Sequence, residues 1–294
     1  MRITVFTPTF NRGYIISNLY NSLCKQSFKD FEWVVIDDGS VDNTKEIFDD
    51  ILNNDNSFDI RYIKTENRGK HRAINKGVEL AKGELFFIVD SDDYLPENSL
   101  EIIDKVEKSI EGKSSFCGVC GIKSYDVKNN VGSTFEGDYL DITCLERPKY
   151  NINGDKAEVF YTNILKMYPF PEFEGEFFLT ECVVWDKIAY DGFKMRFFNE
   201  TVYFCEYLED GLSRNKFDIY KVNPRGQGLY LFQSAKYQKI KGLEKWNKFL
   251  EYFYMHRDNL SFIKISKYLH YNPLLLYIRL FILRIFYRLY RNFK

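Results

Sequence analysis

Three carboxylates follow an apolar run at one point of the chain, where Phe86-Phe87-Ile88-Val89 leads into Asp90-Ser91-Asp92-Asp93. The apolar run predicts a strand that is buried on both faces, as in a parallel sheet covered by helices. Such sheets bind ligands at the carboxyl ends of their strands. Carboxylates this close repel one another unless a cation offsets their charge, and Mg²⁺ and Mn²⁺ favour oxygen ligands, often alongside substrate phosphates. From this stretch alone, a cation site and a solvated acidic turn are about equally supported.

A second predicted strand, Trp33-Val34-Val35-Ile36, also ends in aspartates, in the run Asp37-Asp38-Gly39-Ser40. In a doubly wound sheet the two acidic strand ends lie at the same edge. Basic residues begin the helix before the strand that reaches Asp90, and Arg72 in its first turn could hold a phosphate or orient an aspartate. We therefore expect a carboxylate-rich pocket that binds phosphate groups together with cations.

The elements that position these residues alternate along the first half of the chain. Apolar runs predict five strands, over residues 3–7, 33–36, 60–64, the run ending at Asp90, and 115–123. Apolar residues spaced by three and four predict a helix after each of the first four strands. This order predicts an α/β fold with a mostly parallel sheet flanked by helices. The chain has no Gly-x-Gly-x-x-Gly after the first strand and no Gly-x-x-x-x-Gly-Lys-Ser/Thr, which argues against dinucleotide-binding and Walker-type proteins.

Composition narrows the function classes further. The 294 residues are enough for one large domain or two small ones, and a net charge of −1 gives no basic surface for nucleic acid, so we expect no nucleic-acid partner. Cys117 and Cys120 form a Cys-x-x-Cys without a second such pair, which favours structural cysteines in a strand over a zinc site. The N-terminus enters a strand at once, without a secretory signal, so a reducing, cytoplasmic location is expected.

The second half gives weaker patterns. Frequent Gly, Asn and Asp over 128–137 predict hairpins and loops. Residues 176–190 are predicted to be helical, residues 234–254 to contain another helix, and 203–207 to be a strand. The acidic segment 209–213 follows that strand and is either a turn or a loop near bound phosphates.

The last segment, residues 273–294, combines apolar and basic residues. Arginines interrupt its apolar run, so no piece approaches the ~20 residues that span a bilayer. Arg284, Arg288 and Arg291 share one helical face at spacings of four and three. Basic, aromatic-rich amphipathic helices lie in the membrane interface and are attracted to anionic lipid, so we expect this segment to contact a membrane surface. The alternative is a helix docked on the protein's own core.

Four segments resemble, in order and spacing, the successive motifs of family 2 glycosyltransferases with the GT-A fold. They are Pro8-Thr9-Phe10-Asn11-Arg12, Asp37-Asp38-Gly39-Ser40-Val41-Asp42-Asn43-Thr44, Asn67-Arg68-Gly69 with Arg72-Ala73-Ile74-Asn75-Lys76-Gly77, and Asp90-Ser91-Asp92-Asp93. The resemblance is close from residue 1 to about 110, looser over 150–215 and absent beyond about 230. It implies inverting transfer of a sugar from a nucleotide diphosphate donor to an acceptor hydroxyl.

The resemblance also implies which residues contact the donor and the metal. Asp92 and Asp93 would bind Mn²⁺ or Mg²⁺, which neutralises the charge that grows on the departing nucleotide diphosphate. The residues that would contact the nucleotide sugar are Pro8, Thr9, Phe10, Asn11, Arg12, Asp37, Asp38, Arg72, Asp90, Ser91 and Asp92.

Inversion also needs a base that takes the proton of the acceptor hydroxyl. The family places this carboxylate on a helix in the second half, often as Glu-Asp, and this chain lacks that pair there. Matching Trp185 and Lys187 to the apolar and basic end of the family helix puts Thr180-Glu181 at the position of the pair. Glu181 is therefore the predicted base, and Glu176 is the runner-up.

By this resemblance residues 1–230 form a GT-A domain, with a nucleotide-sugar half at 1–123 and an acceptor half at 124–230. The pattern of the last segment adds a helical, membrane-associating extension at 231–294. We expect a metal-dependent inverting enzyme, a hexosyl- or N-acetylhexosaminyltransferase, that uses a UDP-sugar. Its acceptor would be a lipid-linked glycan of a bacterial capsule, cell wall or other surface polysaccharide, at the inner face of the cell membrane. The oligomeric state is left open, with a homo-oligomer as one alternative.

Two other function classes stay open at this point. A sugar-phosphate nucleotidyltransferase uses similar sheets and aspartates, but it usually has a glycine-rich basic loop where this chain has the glycine-poor segment 8–13. A catalytically inactive sugar-binding module would have no use for the intact carboxylate set, which is costly to keep charged without a cation.

Overall fold

The computed structural model describes residues 1–206 and 216–292, except for the side chains at 216 and 286–292. The chain forms two compact units, Met1–Pro171 with Ile188–Gly211, and Glu172–Lys187 with Leu212–Lys294. These boundaries differ from the predicted divisions at residues 123 and 230, which concern function and stay a prediction. The acidic segment 209–213, and residue 207 of the predicted strand, lie outside the described residues.

The first unit contains one eight-stranded sheet in the order β3-β2-β1-β4-β7-β5-β8-β6. Strands β1 to β4 are parallel, β7 is antiparallel to both β4 and β5, and β8 is parallel to β5 and antiparallel to β6. The predicted α/β fold is thus confirmed, with a parallel half and a mixed half. The strands are β1 Ile3–Thr9, β2 Phe31–Asp37, β3 Asp59–Lys64, β4 Leu85–Ile88, β5 Phe116–Ser124, β6 Tyr139–Ile142, β7 Lys156–Tyr161 and β8 Lys194–Phe204.

Helices flank this sheet because their apolar residues recur on one face. In the first helix Ile16, Leu19 and Leu23 are buried at spacings of three and four. β1 and β2 are buried along their whole length, as expected for central parallel strands covered on both faces. The helices are α1 Ile16–Cys24, α2 Thr44–Leu52, α3 Lys70–Leu80, α4 Ser99–Lys108 and α5 Thr162–Met167, with a 3₁₀ helix at Cys144–Tyr150.

The region predicted as hairpins and loops is partly regular. Residues 128–137 do lie in loops, and Ser124 bridges Asn130 across a tight turn. However, β6, β7 and α5 were not predicted. The predicted helix over 176–190 is also too long, because α6 covers only Cys182–Tyr190. Cys117 and Cys120 are buried in β5 as free thiols, which confirms them as strand residues.

The second unit is mainly helical, with α7 Lys216–Val222, α8 Pro224–Lys236, α9 Gly242–His256, α10 Phe262–Tyr268 and α11 Pro273–Asn292. The helix predicted within 234–254 is confirmed as α9, and α8 ends inside the same range. Among the described residues of this unit, a core forms from the buried side chains of Leu231, Phe249, Tyr252, Ile265, Leu269, Leu276 and Leu280.

Helix α11 has two apolar faces. Leu276, Leu280 and Leu283 are buried at helical spacing, so one face docks on the core of the unit, as the alternative expectation held. The other face exposes apolar side chains, among them Ile278, Phe281 and Ile285. Within the described residues, no helix is both long and apolar enough to cross a bilayer.

Candidate active site

The carboxyl ends of β1, β2 and β4 meet at one edge of the sheet. Thr9 pairs with Asp37 across β1 and β2, and Phe6 pairs with Ile88 across β1 and β4. This register brings the loops after the three strands together, and α3 begins at the same edge, since Asp38 binds the backbone just before it. The structure thereby brings together the residues of the first unit that were predicted to contact the nucleotide sugar: Pro8, Thr9, Phe10, Asn11, Arg12, Asp37, Asp38, Arg72, Asp90, Ser91 and Asp92.

The two aspartates after β2 hold neighbouring loops. Asp37 is fully buried and accepts hydrogen bonds from the Tyr62 hydroxyl and from the Ser40 N–H. Asp38 accepts two hydrogen bonds of 2.8 Å, from the N–H groups of Arg68 and Gly69. Burial raises the pKa of Asp38, while these two donors oppose the rise. Both carboxylates therefore position the loops around the site from within the protein.

Gly39 shows why the loop after β2 needs its glycine. Its φ of 86° lies in the left-handed region, and an added Cβ would approach the backbone nitrogen of Asn67 to 2.7 Å. The loop after β1 is fastened to the same segment, because Asn11 N–H donates to Ser40 Oγ at 2.8 Å and Val41 N–H donates to Asn11 Oδ1 at 2.8 Å. These contacts fix the two loops against each other before any ligand binds.

The end of β1 carries a buried hydroxyl and an exposed aromatic ring. The Thr9 hydroxyl is buried and has no hydrogen-bond partner among the described residues. Phe10, the next residue, exposes 43% of its surface. The exposed ring of Phe10 offers a flat apolar surface, which suits a nucleobase.

The loop after β4 is the most charged part of this edge. Lys70 Nζ, at the start of α3, lies 2.8 Å from Asp90 Oδ1. Burial opposes ionisation of Asp90, but Lys70 and Lys123 hold its pKa below the ordinary value. Burial and the charge of Asp90 raise the pKa of Asp92, and they raise the pKa of Asp93 to about 7. The crowding expected from the sequence is thus present, and a bound cation would relieve it.

Asp92 and Asp93 have different surroundings. Asp92 is half-buried, and no described side chain forms a hydrogen bond or close ion pair with it. Asp93 is 6% exposed, and its two oxygens accept hydrogen bonds from the Tyr203 hydroxyl at 2.6 Å and the Glu206 N–H at 3.0 Å. The Asp92 carboxylate is therefore the one that remains open to a metal.

The donor set fits a cation that the protein binds only in part. No group of three or more His, Cys, Asp or Glu side chains in the described ranges forms a metal site by itself. Mg²⁺ commonly takes one or two carboxylates and completes its shell with substrate phosphates and water. One open carboxylate beside a phosphate-binding edge suits that mode of binding.

The two candidate bases belong to the second unit and differ in their contacts. Glu176 is 4% exposed and caps α8: Oε1 accepts from the Arg225 N–H at 2.8 Å and from Arg225 Nε at 3.1 Å, and Oε2 accepts from the Gly226 N–H at 2.8 Å. Glu181 is half-buried and directly precedes α6. Its carbonyl accepts the first hydrogen bonds of that helix, from Val184 and Trp185.

Sequence patterns missed Tyr203, Lys70 and Lys123 as site residues. Tyr203 was assigned to a strand, and it is a fully buried residue of β8 whose hydroxyl reaches the loop after β4. Lys123 in β5 lies with Nζ 3.9 Å from the centre of the Tyr203 ring. The contacts of Tyr203 join positions eighty or more residues apart and so have no local sequence signal, whereas Lys70 lies only twenty residues before Asp90.

Comparison with known proteins agrees with the fold and the motifs. The Glycosyl transferase family 2 profile matches residues 4–163, more than half of the chain. The GalNAc(5)-diNAcBac-PP-undecaprenol beta-1,3-glucosyltransferase of Campylobacter jejuni is 29% identical over 190 residues, which are 63% of this chain and 58% of that protein. The chain spans smaller shares of other curated relatives: 33% of the glycosyltransferase GlyG of Streptococcus pneumoniae and 18% of TarS of Staphylococcus aureus.

Two solved structures share the GT-A fold of this chain. Residues 1–349 of Staphylococcus aureus TarS with UDP-GlcNAc superpose with a TM-score of 0.59 at 23% identity, covering 88% of this chain and 73% of that one. A mannosyltransferase from Pyrobaculum calidifontis with GDP-Man and Mn²⁺ gives a TM-score of 0.54 at 19% identity, covering 82% and 65%. With the match to more than half of its length, this chain belongs to glycosyl transferase family 2.

Proposed function

We propose that the chain is a metal-dependent, inverting glycosyltransferase of bacterial surface-glycan synthesis. It transfers a hexosyl or N-acetylhexosaminyl group from a UDP-sugar to a hydroxyl of a lipid-linked glycan. The observation that carries the proposal is the convergence of three strand ends, an open carboxylate and the start of α3 at one edge of the sheet. The names of the relatives support the chemistry, since one acts on an undecaprenol-linked glycan and another binds UDP-GlcNAc.

The donor nucleotide is assigned to the loops after β1 and β2. Phe10 provides an exposed ring and Thr9 a buried hydroxyl, while Asp38 holds the segment from which Arg72 extends. Arg12 and Arg72 supply positive charge for the diphosphate. Pro8 and Asn11 shape the loop, and Asp90 and Ser91 form the opposite wall.

The metal, Mn²⁺ or Mg²⁺, is assigned to Asp92. When bound, it would neutralise the charge of the leaving nucleotide diphosphate. The presence of Mn²⁺ in the Pyrobaculum structure supports this choice of ion. Asp93 was predicted as a second ligand, but its two oxygens are bound within the protein.

The base is assigned to Glu181 in preference to Glu176. A general base must be able to accept the proton of the acceptor hydroxyl. The Glu176 carboxylate is buried and already accepts two backbone N–H groups and an arginine side chain. Glu181 is half-buried directly before α6, and it is the position that the family motif matches.

We also propose that the enzyme works at the inner face of the cell membrane and binds it peripherally through residues 273–294. The outward face of α11 exposes apolar side chains such as Ile278 and Phe281, and Arg284 is exposed beside them. Exposed apolar residues flanked by arginine suit an anionic membrane interface.

The proposed function is tested by ligand-dependent stability. UDP-sugars with Mn²⁺ should raise the unfolding temperature, because a ligand at a hundredfold excess over its Kd stabilises the folded state by about 2.7 kcal/mol. UDP release in the presence of a lipid-linked glycan acceptor should follow. A protein that instead releases pyrophosphate from a nucleoside triphosphate and a sugar phosphate would be a nucleotidyltransferase, and the proposal would be wrong.

A further inference from the structure

One buried hydroxyl joins both ends of the loop that carries Asp92. The Tyr203 oxygen accepts a hydrogen bond from the Asp90 N–H at 2.9 Å and donates one to Asp93 Oδ2 at 2.6 Å. Tyr203 is fully buried, so water does not compete for these bonds. Asp92 lies between the two anchored residues.

The second oxygen of Asp93 extends the anchor to the end of β8. Asp93 Oδ1 accepts a hydrogen bond of 3.0 Å from the Glu206 N–H. The backbone is tied in parallel, because Tyr94 and Phe204 exchange two backbone hydrogen bonds of 3.0 and 2.8 Å. The loop after β4 is therefore held to β8 on both sides of the Asp93 carboxylate.

The ring of Tyr203 is itself held in place. Phe87 packs against it edge-on, with ring centres 6.0 Å apart. Lys123, a residue of β5, places its Nζ 3.9 Å from the centre of the Tyr203 ring. The hydroxyl thus has little freedom to move away from the loop.

We propose that Tyr203 and Asp93 are positioning residues that set the place of the Asp92 carboxylate, and that Asp93 is not a metal ligand. This inference rests on the proposed role of Asp92 in metal binding. Groups that orient metal ligands are themselves worth about 10–100-fold in metal affinity. The anchor therefore contributes to metal binding without touching the metal.

The test is the affinity of the full-length protein for Mn²⁺ in the presence of UDP, measured by the EPR signal of free Mn²⁺. Tyr203→Phe keeps the ring and removes the hydroxyl, and it should weaken Mn²⁺ affinity about tenfold. UDP affinity in EDTA should stay within about twofold of the wild type, because the base and ribose contacts are elsewhere. A loss of both affinities together would indicate general damage and would overturn the positioning role.

Asp93→Asn separates an anchor from a ligand. If Asp93 is an anchor, this variant should resemble Tyr203→Phe, and the double variant should be no worse than either single one. If Asp93 binds the metal, Asp93→Asn should lose Mn²⁺ affinity as completely as Asp92→Asn, and the effect of Tyr203→Phe should add to it. Loss of Mn²⁺ affinity in Asp93→Asn as complete as in Asp92→Asn would refute the proposal by itself, even if Tyr203→Phe did not fold.

The matched control is Tyr161→Phe. The Tyr161 hydroxyl also donates to a carboxylate within the first unit, to Glu107 Oε1 at 2.8 Å, away from the aspartate loop. This variant should keep wild-type Mn²⁺ affinity. If the wild type itself shows no Mn²⁺-dependent UDP binding, the proposed function fails; if the wild type binds and Tyr203→Phe binds equally well, only the anchor fails.

Discussion

Replacing Glu176 and Glu181 separately by Gln should distinguish a structural carboxylate from a catalytic one. Gln at 176 keeps one acceptor oxygen, but its amide nitrogen cannot accept, so one N–H of α8 loses its partner along with the Arg225 ion pair. Loss of a helix N-cap costs about 0.5–2 kcal/mol, and a hydrogen bond to a charged group contributes about 1.5–3 kcal/mol. Since these contributions overlap, we expect Glu176→Gln to lower the free energy of unfolding by about 2–3 kcal/mol.

Glu181→Gln should instead leave the free energy of unfolding nearly unchanged and remove most of the turnover. The half-buried side chain changes little in volume, and the backbone carbonyl that starts α6 is unaltered, so the loss of stability should be about 1 kcal/mol or less. Removal of a general base lowers turnover by roughly 10²–10⁴-fold. UDP affinity should be unchanged, because the base acts on the acceptor.

Urea unfolding and UDP release with a lipid-linked glycan acceptor measure the two effects independently. The assignment is supported if Glu176→Gln is unstable but retains turnover at a temperature where it is folded, while Glu181→Gln is stable and inactive. If Glu176→Gln is as stable as the wild type and inactive, the two roles must be exchanged. If neither variant loses turnover, the base lies elsewhere in the chain.

Three further predictions follow from the contacts of single groups. Asp92→Asn should abolish the Mn²⁺-dependent part of UDP binding, as measured by calorimetry, and should leave the binding seen in EDTA; unchanged Mn²⁺ dependence would refute the metal assignment. Burial lowers the pKa of His256 to about 4, and its Nε2 is 2.8 Å from Gln227 Oε1. In the unfolded chain His256 has a pKa of about 6.5, so as the pH falls it binds a proton there before it does so in the folded protein. The free energy of unfolding is therefore highest above pH 6.5 and falls by about 2 kcal/mol between pH 6.5 and 5. His256→Gln should flatten this pH dependence, as measured by urea unfolding. Replacing the exposed Ile278, Phe281 and Ile285 together by Ser should abolish sedimentation with anionic vesicles, and retained sedimentation would contradict the membrane proposal. This triple change is cleaner than deletion of residues 273–294, which would also remove Leu276 and Leu280 from the core.

The first half of the fold was predictable because its signals are local. β1, β2 and β4 are buried strands built around apolar runs, and the helices between the strands repeat apolar residues every three or four positions. The loops that carry the aspartates of the proposed donor site follow β2 and β4 directly. Once the parallel order was recognised, their meeting at one edge followed from the geometry of the sheet.

The second half was less predictable because its elements depend on distant partners. β7 inserts between β4 and β5 and contains the buried Lys156, whose ammonium donates to the carbonyl oxygens of Val131 and Asn153. A lysine with such a role gives no apolar pattern. The break between α8 and α9 includes Gln238 at φ 61°, where a glycine would have marked the end of the helix.

The same distinction applies to the glutamates. Glu176 and Glu181 lie five residues apart in a segment with no clear periodicity, and sequence spacing could rank them only by likeness to a family motif. What separates them is that Glu176 caps a helix that begins nearly fifty residues later. A buried cap on a distant helix is a tertiary contact, and it has no signature near Glu176 itself.

In the proposed site, charge balance makes donor binding depend on the metal. Lys70 is already paired with Asp90 at 2.8 Å, so it offers little net charge to a diphosphate that approaches Asp92. A divalent ion between Asp92 and the phosphates converts a repulsion between anions into an attraction. Because coupling between two ligands is reciprocal, UDP must raise the affinity for the metal by the same factor as the metal raises the affinity for UDP. In this proposal, the placement of Asp92 by its neighbours therefore affects donor binding as well as metal binding.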